Sequence, residues 1–265
     1  MKSVPVALTV AGSDSGGGAG IQADVKTFAA CGVFGTSVIV AVTAQNLDAV
    51  KAIQAIDTDV VCHQLQAVLS GFPIKAVKTG MLFTAGIIAV VAEILAGRRE
   101  IPLVVDPVFM ATSGSRLIEP AAVDLMKNTL FPLAGLITPN LAEAEALLGE
   151  SLGCAGDLAG GAEKLRRLFR APVLLKGGHF PGNDAVDVLA DQEGVKTFVS
   201  KRIHHVNSHG SGCTFSAAIT ANLARGQSLR QAIASAKVFI FNSLKHSLKL
   251  QNNVALINHF WKRQN

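Results

Sequence analysis

The sequence predicts an α/β protein: a three-layer αβα sandwich with a mostly parallel central sheet, built as one domain over residues 1–265. Apolar runs of strand length (VALTV, SVIVAV, IKAVKTG, PLVVDPV, GLITPN, PVLLKGG) alternate with segments of helical spacing, the pattern of βαβ units. The runs are near-continuous in Val, Ile and Leu and do not alternate with polar residues, which suits strands covered on both faces. With 265 residues, 49% of them hydrophobic, the chain is long enough to bury a large core.

The elements follow in order. VALTV, after Lys2, has the look of a short signal-peptide centre, but it leads into a glycine loop and an amphipathic helix and is read as the first core strand. AGIQADVKTFAACG is the first helix and stops at Gly32. After SVIVAV, the segment TDVVCHQLQAVLSG predicts a helix from Thr58, as N-cap, to Gly71. DAVDVLAD and VKTFVSKRI, separated by QEG, predict an antiparallel hairpin appended to the sheet. SLRQ at 228–231 is a capping box that opens the last long helix.

Composition removes several function classes. The net charge is +5, but Lys and Arg are scattered and no basic run is interleaved with aromatics, so no nucleic-acid partner is expected. No segment approaches transmembrane length, so no membrane partner is expected either. Cysteines 31, 62, 154 and 213 show no C-x-x-C and no histidine at zinc spacing, which argues against a disulfide framework or a zinc site; a reducing cytoplasm is the simplest compartment.

Ligands of open α/β sheets gather beyond the carboxyl ends of the strands. Those ends read AGSDSGGGAG (11–20), TAQN (43–46), KTGML (78–82), DPVFMATSG (106–114), TPNLAEAEALLG (138–149), KGGH (176–179) and HGSGCT (209–214), nearly all glycine-rich, polar or both. The chain has no Gly-Lys dipeptide, hence no P-loop, and neither glycine cluster fits G-x-G-x-x-G. What remains is Gly210, Ser211 and Gly212 at the start of a helix, where first-turn amides and the helix dipole favour a phosphoryl group. A tight turn that admits a close-packed helix reads equally well.

Free cysteines are mostly small buried hydrophobes, which is the reading for Cys31, Cys62 and Cys154. Cys213 stands at a helix N-terminus, where a thiol is expected to fall from about 8.5 toward neutrality and become a proton acceptor. It could also attack a carbonyl, but that needs a base partner, and spacing does not aim His209 at it.

Asp106 ends an apolar strand, and Asn140 and Glu143 form an N-x-x-E after another; carboxylates so placed can hold Mg²⁺ through waters and phosphate. Glu143 alone would read as a first-turn dipole partner. Lys176, ending VLLK, is an awkward charge in a buried strand unless it meets phosphate oxygens. The Gln45 carboxamide donates and accepts side by side, matching an aminopyrimidine or amide edge, although an isolated glutamine is usually a turn residue. Met81 and Val108 offer apolar walls, with core packing as their default role.

Together, AGSDSGGGAGIQADVKTF, TAQN, KTGML, VVDPV…ATSG, LITPNLAEAEALL, LLKGGH and HGSGCTFSAAI resemble, in order and spacing, the bacterial hydroxymethylpyrimidine/phosphomethylpyrimidine kinases of the ribokinase-like superfamily, from about residue 6 to about residue 245. The resemblance implies a ribokinase-like fold, a homodimer, and a thiamine-biosynthesis enzyme that uses ATP and Mg²⁺. Its expected reaction phosphorylates 4-amino-5-hydroxymethyl-2-methylpyrimidine and then the monophosphate. It implies Cys213 as the base, Gly210, Ser211 and Gly212 as the anion hole, and Lys176 on the transferring phosphates. Asp106, Asn140 and Glu143 would organise Mg²⁺–ATP, and Gln45, Gly12, Ala19, Met81 and Val108 would form the pyrimidine pocket.

The chain departs from the family in HGSGC where H-G-T-G-C is usual, in SDSGGGAG for S-D-x-S-G-G-A-G, and in RIHHVNSHG before the loop; no role passes to Lys201, Arg202, His204 or His205. The rival readings are a pyridoxal kinase of the same superfamily and a non-catalytic nucleotide-binding regulator.

Overall fold

The computed structural model describes residues 3–110, 117–178, 180, 182–204, 206–251 and 254–263. In chain order it runs β1 (Val6–Asp14), α1 (Gly20–Ala30), β2 (Phe34–Gln45), β3 (Val50–Ala55), α2 (Thr58–Gly71), β4 (Ile74–Thr79), α3 (Ala85–Ala96), β5 (Leu103–Val105) and α4 (Pro120–Leu125). It continues β6 (Leu136–Ile137), α5 (Leu141–Leu148), α6 (Asp157–Phe169), β7 (Val173–Lys176), β8 (Asp184–Asp191), β9 (Gly194–Lys201), α7 (Ser211–Ala224) and α8 (Leu229–Lys245). A small antiparallel pair, β10 (Leu248–Lys249) and β11 (Ala255–Leu256), follows.

One sheet takes the order β3-β2-β1-β4-β5-β6-β7-β8-β9. Its inner strands, β2 to β7, are parallel, and β3, β8 and β9 are antiparallel additions at the two edges. The chain steps to one side of β1 for β2 and to the other for β4, so the strand order reverses at β1. That reversal opens a crevice above the carboxyl end of β1, which is where ligands bind in such sheets.

Alternation along β1 assigns the two helical layers. Val6, Leu8 and Val10 face a core with Val61 and Leu65 of α2 and Ile87, Ile88 and Val91 of α3. Ala7, pointing the other way, joins Ala76 of β4, Phe28 of α1 and Ala217 and Ala221 of α7. Alanines on both strand and helix bring α7 close to the sheet, so the start of α7 lies against the crevice. The α8 side adds Phe215, Ile219, Ile233 and Ile240 over Val104, Leu136 and Leu174.

The hairpin around QEG and the capping box at Ser228 form as expected. The cap of α2 does not: Asp57, not Thr58, is the N-cap, its carboxylate accepting the Asp59 amide. β3 was also not anticipated, because VKAIQA is an exposed edge strand with no apolar run. The ATSG stretch (111–114), His179 and His205 lie outside the described residues. Among the described residues no helix is long and apolar enough to cross a membrane.

Candidate active site

Two glycine loops meet at the crevice. Gly210, the N-cap of α7, has φ 80° and stands so close to the other loop that a Cβ there would lie 1.8 Å from the Gly18 carbonyl oxygen. On the facing loop, Gly20 has φ 56°, and a Cβ would lie 2.4 Å from the Gly12 oxygen. Only glycine satisfies both the left-handed backbone and the contact. The seam places the N-termini of α1 and α7 side by side, so the first turns of two helices share one region, with the Ser211 amide held by the Ser208 carbonyl at 2.9 Å.

Cys213 is the third residue of α7, partly exposed, with the Gly20 amide directed at its thiol. Beneath it, Lys78 of β4 and Asp24 of α1 form an ion pair of 2.9 Å with neither side chain exposed, and Thr9 donates to the same Asp24 oxygen at 2.6 Å. Burial works to lower the Lys78 ammonium, but Asp24, with Cys213 and Asp106 behind it, holds it above its ordinary value.

The expectation of a near-neutral thiol is corrected here. Burial pushes Cys213 up to about 11, with Asp24 and Asp106 adding to the rise; the Lys78 charge and the Gly20 amide oppose it and lose. Burial, the largest cause, and then the two carboxylates outweigh what the helix terminus offers a thiolate. Raising pH raises the thiolate fraction, so alkylation of Cys213 by iodoacetamide, followed by peptide mass spectrometry, should be slow at pH 7 and still climbing above pH 10. A rate that levels off near pH 7 would mean the helix terminus outweighs burial.

Lys176, at the end of β7, extends to Asp106 Oδ1 at 2.9 Å, and a Cβ added at Gly212 would sit 3.4 Å from its Nζ. The amine therefore lies beside the α7 amides. Burial would lower Lys176, but Asp106 and Glu143 outweigh it and keep the ammonium raised. Asp106 also accepts from Thr138 at 3.1 Å and Ser216 at 2.9 Å; against burial, Lys176 and then Lys78 hold it below the usual carboxylate range.

Glu143 and Asn140 form a full capping box on α5, and Glu143 Oε1 also accepts the Phe109 amide at 3.1 Å. Burial raises the Glu143 carboxyl, Lys176 opposing and Asp106 reinforcing. The carboxylate oxygens of Asp106 and Glu143 thus already have protein donors, and no group of three or more candidate ligands occurs among the described residues. Mg²⁺ in general keeps several waters and is bound through one or two carboxylates and substrate phosphates, so it does not require a cage of protein ligands.

On the β2 side, Met81 packs with Ala41 and Leu117, with Val108 against them. A Cβ at Gly12 would lie 2.4 Å from Met81 Cε, so backbone and thioether are in direct contact. Val108 has φ 49°, a strained conformation for a β-branched residue at the edge of this pocket. Asp14 gathers the amides of Gly16, Gly18 and Ala19 and the ring of His209. Burial works against the Asp14 charge, but His209 and the Ala19 and Gly16 amides win and lower its pKa. His209 points to Asp14 and Gln45, which leaves the acyl-transfer reading without a base.

The residues singled out from sequence therefore fall into two clusters at one sheet edge: Lys176, Asp106, Asn140, Glu143 and the 210–213 turn, and Gln45, Gly12, Ala19, Met81 and Val108. Sequence reading missed Asp14, Asp24, Lys78, Thr138 and Ser216. Lys78 was detectable by the reasoning applied to Lys176, a lysine inside an apolar strand.

Sites of this kind, with helix N-termini and a lysine at the carboxyl ends of the strands of an open sheet, are those of α/β phosphotransferases, in which positioned donors stabilise the transferring group. The sequence profile of the family described as phosphomethylpyrimidine kinase matches residues 14–258. The hydroxymethylpyrimidine/phosphomethylpyrimidine kinase of Rhizobium meliloti is 43% identical, covering 97% of this chain and 98% of that protein. The bifunctional thiamine biosynthesis protein ThiED of Geobacter sulfurreducens is 47% identical over 95% of the chain, which spans about half (51%) of that longer protein. The ADP complex of Bacillus subtilis pyridoxal kinase superposes with a TM-score of 0.88 at 38% identity, covering 99% of this chain and 100% of that one. The chain belongs to the phosphomethylpyrimidine kinase family.

Proposed function

We propose that this protein phosphorylates 4-amino-5-hydroxymethyl-2-methylpyrimidine and then its monophosphate, with Mg²⁺–ATP as donor, in thiamine diphosphate formation. The observation that carries the proposal is the placement of Lys176 between Asp106 and Gly212, beside the open amides of α7. In this reading the amides of Gly210, Gly212 and Cys213, together with Lys176, receive the equatorial oxygens of the transferring phosphoryl group, and Ser211 spaces the turn, its own amide being held by the Ser208 carbonyl at 2.9 Å. Gln45 takes the aminopyrimidine edge, and Gly12, Ala19, Met81 and Val108 wall the ring.

Asp106 and Glu143 would hold Mg²⁺ through waters and phosphate, with Asn140 beside them; the ion supplies charge neutralisation on the phosphates. Cys213 accepts the hydroxyl proton only as thiolate, and a thiol at about 11 is almost wholly protonated at neutral pH. The hydroxyl proton is therefore lost late, after the loose transition state, to the oxygens of the phosphoryl group just transferred or to the minor thiolate form of Cys213, and the amides with Lys176 supply most of the acceleration.

Steady-state rates with Mg²⁺–ATP test the substrate. The pyrimidine alcohol should exceed pyridoxal in kcat/KM by about tenfold or more, because a carboxamide left unpaired by the wrong edge weakens binding. Faster turnover of pyridoxal would transfer the site to the reading suggested by the Bacillus subtilis neighbour. Nucleotide binding with no turnover of either alcohol would favour a regulator.

A further inference from the structure

The surroundings of Gln45 can be counted donor by donor. Asp14 accepts the amides of Gly16 (2.8 Å), Gly18 (3.0 Å) and Ala19 (2.8 Å), and His209 Nε2 stands 3.1 Å from its Oδ2. A carboxylate only accepts, so the proton of His209 is on Nε2. On the other side, Thr43 has one hydroxyl proton and two acceptors within reach, the Ser13 carbonyl at 3.0 Å and Gln45 Oε1 at 3.2 Å, and the nearer carbonyl takes it. Toward Gln45, Thr43 therefore offers a lone pair.

Gln45 Nε2 lies 3.5 Å from His209 Nε2 and its Oε1 lies 3.2 Å from Thr43 Oγ1. In that orientation two N–H groups oppose each other at one end and two acceptors at the other. Turning the carboxamide by half a rotation resolves both conflicts: Oε1 shares the single His209 Nε2–H with Asp14 Oδ2 in a bifurcated bond, and the NH₂ donates to Thr43. One N–H and one lone pair of Gln45 are then left for a ligand, in a fixed order.

We propose that His209, held by Asp14, is a positioning residue that sets the direction of the Gln45 carboxamide and thereby the order of donor and acceptor that a ring edge must present. This rests on the aminopyrimidine reading of the site. The ring nitrogen accepts from the free N–H, and the exocyclic amine beside it donates to Oε1. A glycine is required at position 18 for the same reason, since a Cβ there would lie 2.6 Å from the His209 ring.

Two variants and one spectroscopic measurement test the assignment. His209→Leu removes the N–H, and His209→Gln restores one at the same reach. With the aminopyrimidine alcohol, His209→Leu should raise KM about tenfold, as expected for one lost hydrogen bond, with kcat and the KM for ATP changed by no more than about twofold. His209→Gln should recover most of the loss. On the analogue lacking the 4-amino group, the two variants and wild type should differ by about twofold or less. Nitrogen-15 shifts of the wild-type imidazole should place the proton on Nε2.

Equal losses in both variants, equal losses on both substrates, or a proton confined to Nδ1 would overturn the assignment. A wild type that phosphorylates neither alcohol overturns the substrate reading instead, and the tautomer then decides the His209 assignment alone.

Discussion

Lys176→Met should lower kcat by about 10²–10³-fold while changing the KM for the pyrimidine alcohol little, the scale seen when one preorganised donor to a developing anion is removed. The ammonium is pinned in advance: only 13% of the side chain is exposed, and Asp106 holds it at 2.9 Å beside Gly212. Its charge therefore needs no reorganisation when the phosphoryl group is transferred. The variant should fold, because Asp106 keeps the Thr138 and Ser216 hydroxyls, although removing one partner of a buried pair costs about 3 kcal/mol. Lys176→Arg should rescue poorly, since a planar guanidinium cannot fill the place of a point charge. A Lys176→Met enzyme within tenfold of wild-type kcat would remove Lys176 from the transfer step.

Gly210→Ala should be the most damaging single-methyl change in the chain. The left-handed φ of 80° alone costs an alanine about 1–2 kcal/mol, and the added Cβ would fall 1.8 Å from the Gly18 oxygen. The neighbour is backbone, so the overlap is relieved only by parting the two glycine loops. Melting should drop by several degrees for a loss on the order of 3 kcal/mol, and activity should be nearly abolished even in the folded fraction. Gly212→Ala is the matched control: its Cβ would meet the flexible end of Lys176 at 3.4 Å, so it should retain stability and lose part of kcat. Equal melting temperatures for Gly210→Ala and wild type would mean that the loops are not locked together.

The parallel sheet was legible because its strands are mainly apolar runs, and α1, α2 and α8 because each has an end signal. β3 was not, since an edge strand with one face in water carries no such run. In the site, Lys176 and Asp106 could be found because each is polar at the end of an apolar strand, and the 210–213 turn because it is glycine-rich at the start of a helix. Asp14 and Asp24 could not be ranked in that way: Asp14 sits in a polar glycine loop and meets a remote partner only in His209, and Asp24 lies inside a helix with its partner Lys78 on another strand. The same remoteness explains the error about Cys213. A helix start is visible in sequence, but the Asp24 and Asp106 charges that help raise the thiol come from α1 and the end of β5. Asn140 and Glu143 illustrate a double use: the residues chosen for phosphate and metal also cap α5.

The central claim is that the crevice at the α7 N-terminus transfers phosphoryl groups from ATP to a pyrimidine alcohol. Phosphorus NMR of a reaction containing the protein, Mg²⁺, ATP and 4-amino-5-hydroxymethyl-2-methylpyrimidine tests it most directly, with Lys176→Met run in parallel. The account predicts a monophosphate that appears first and is converted to a diphosphate as ATP is consumed, with both signals nearly absent in the variant. ATP hydrolysed to free phosphate with neither pyrimidine product, or product formed equally well by the variant, would contradict it.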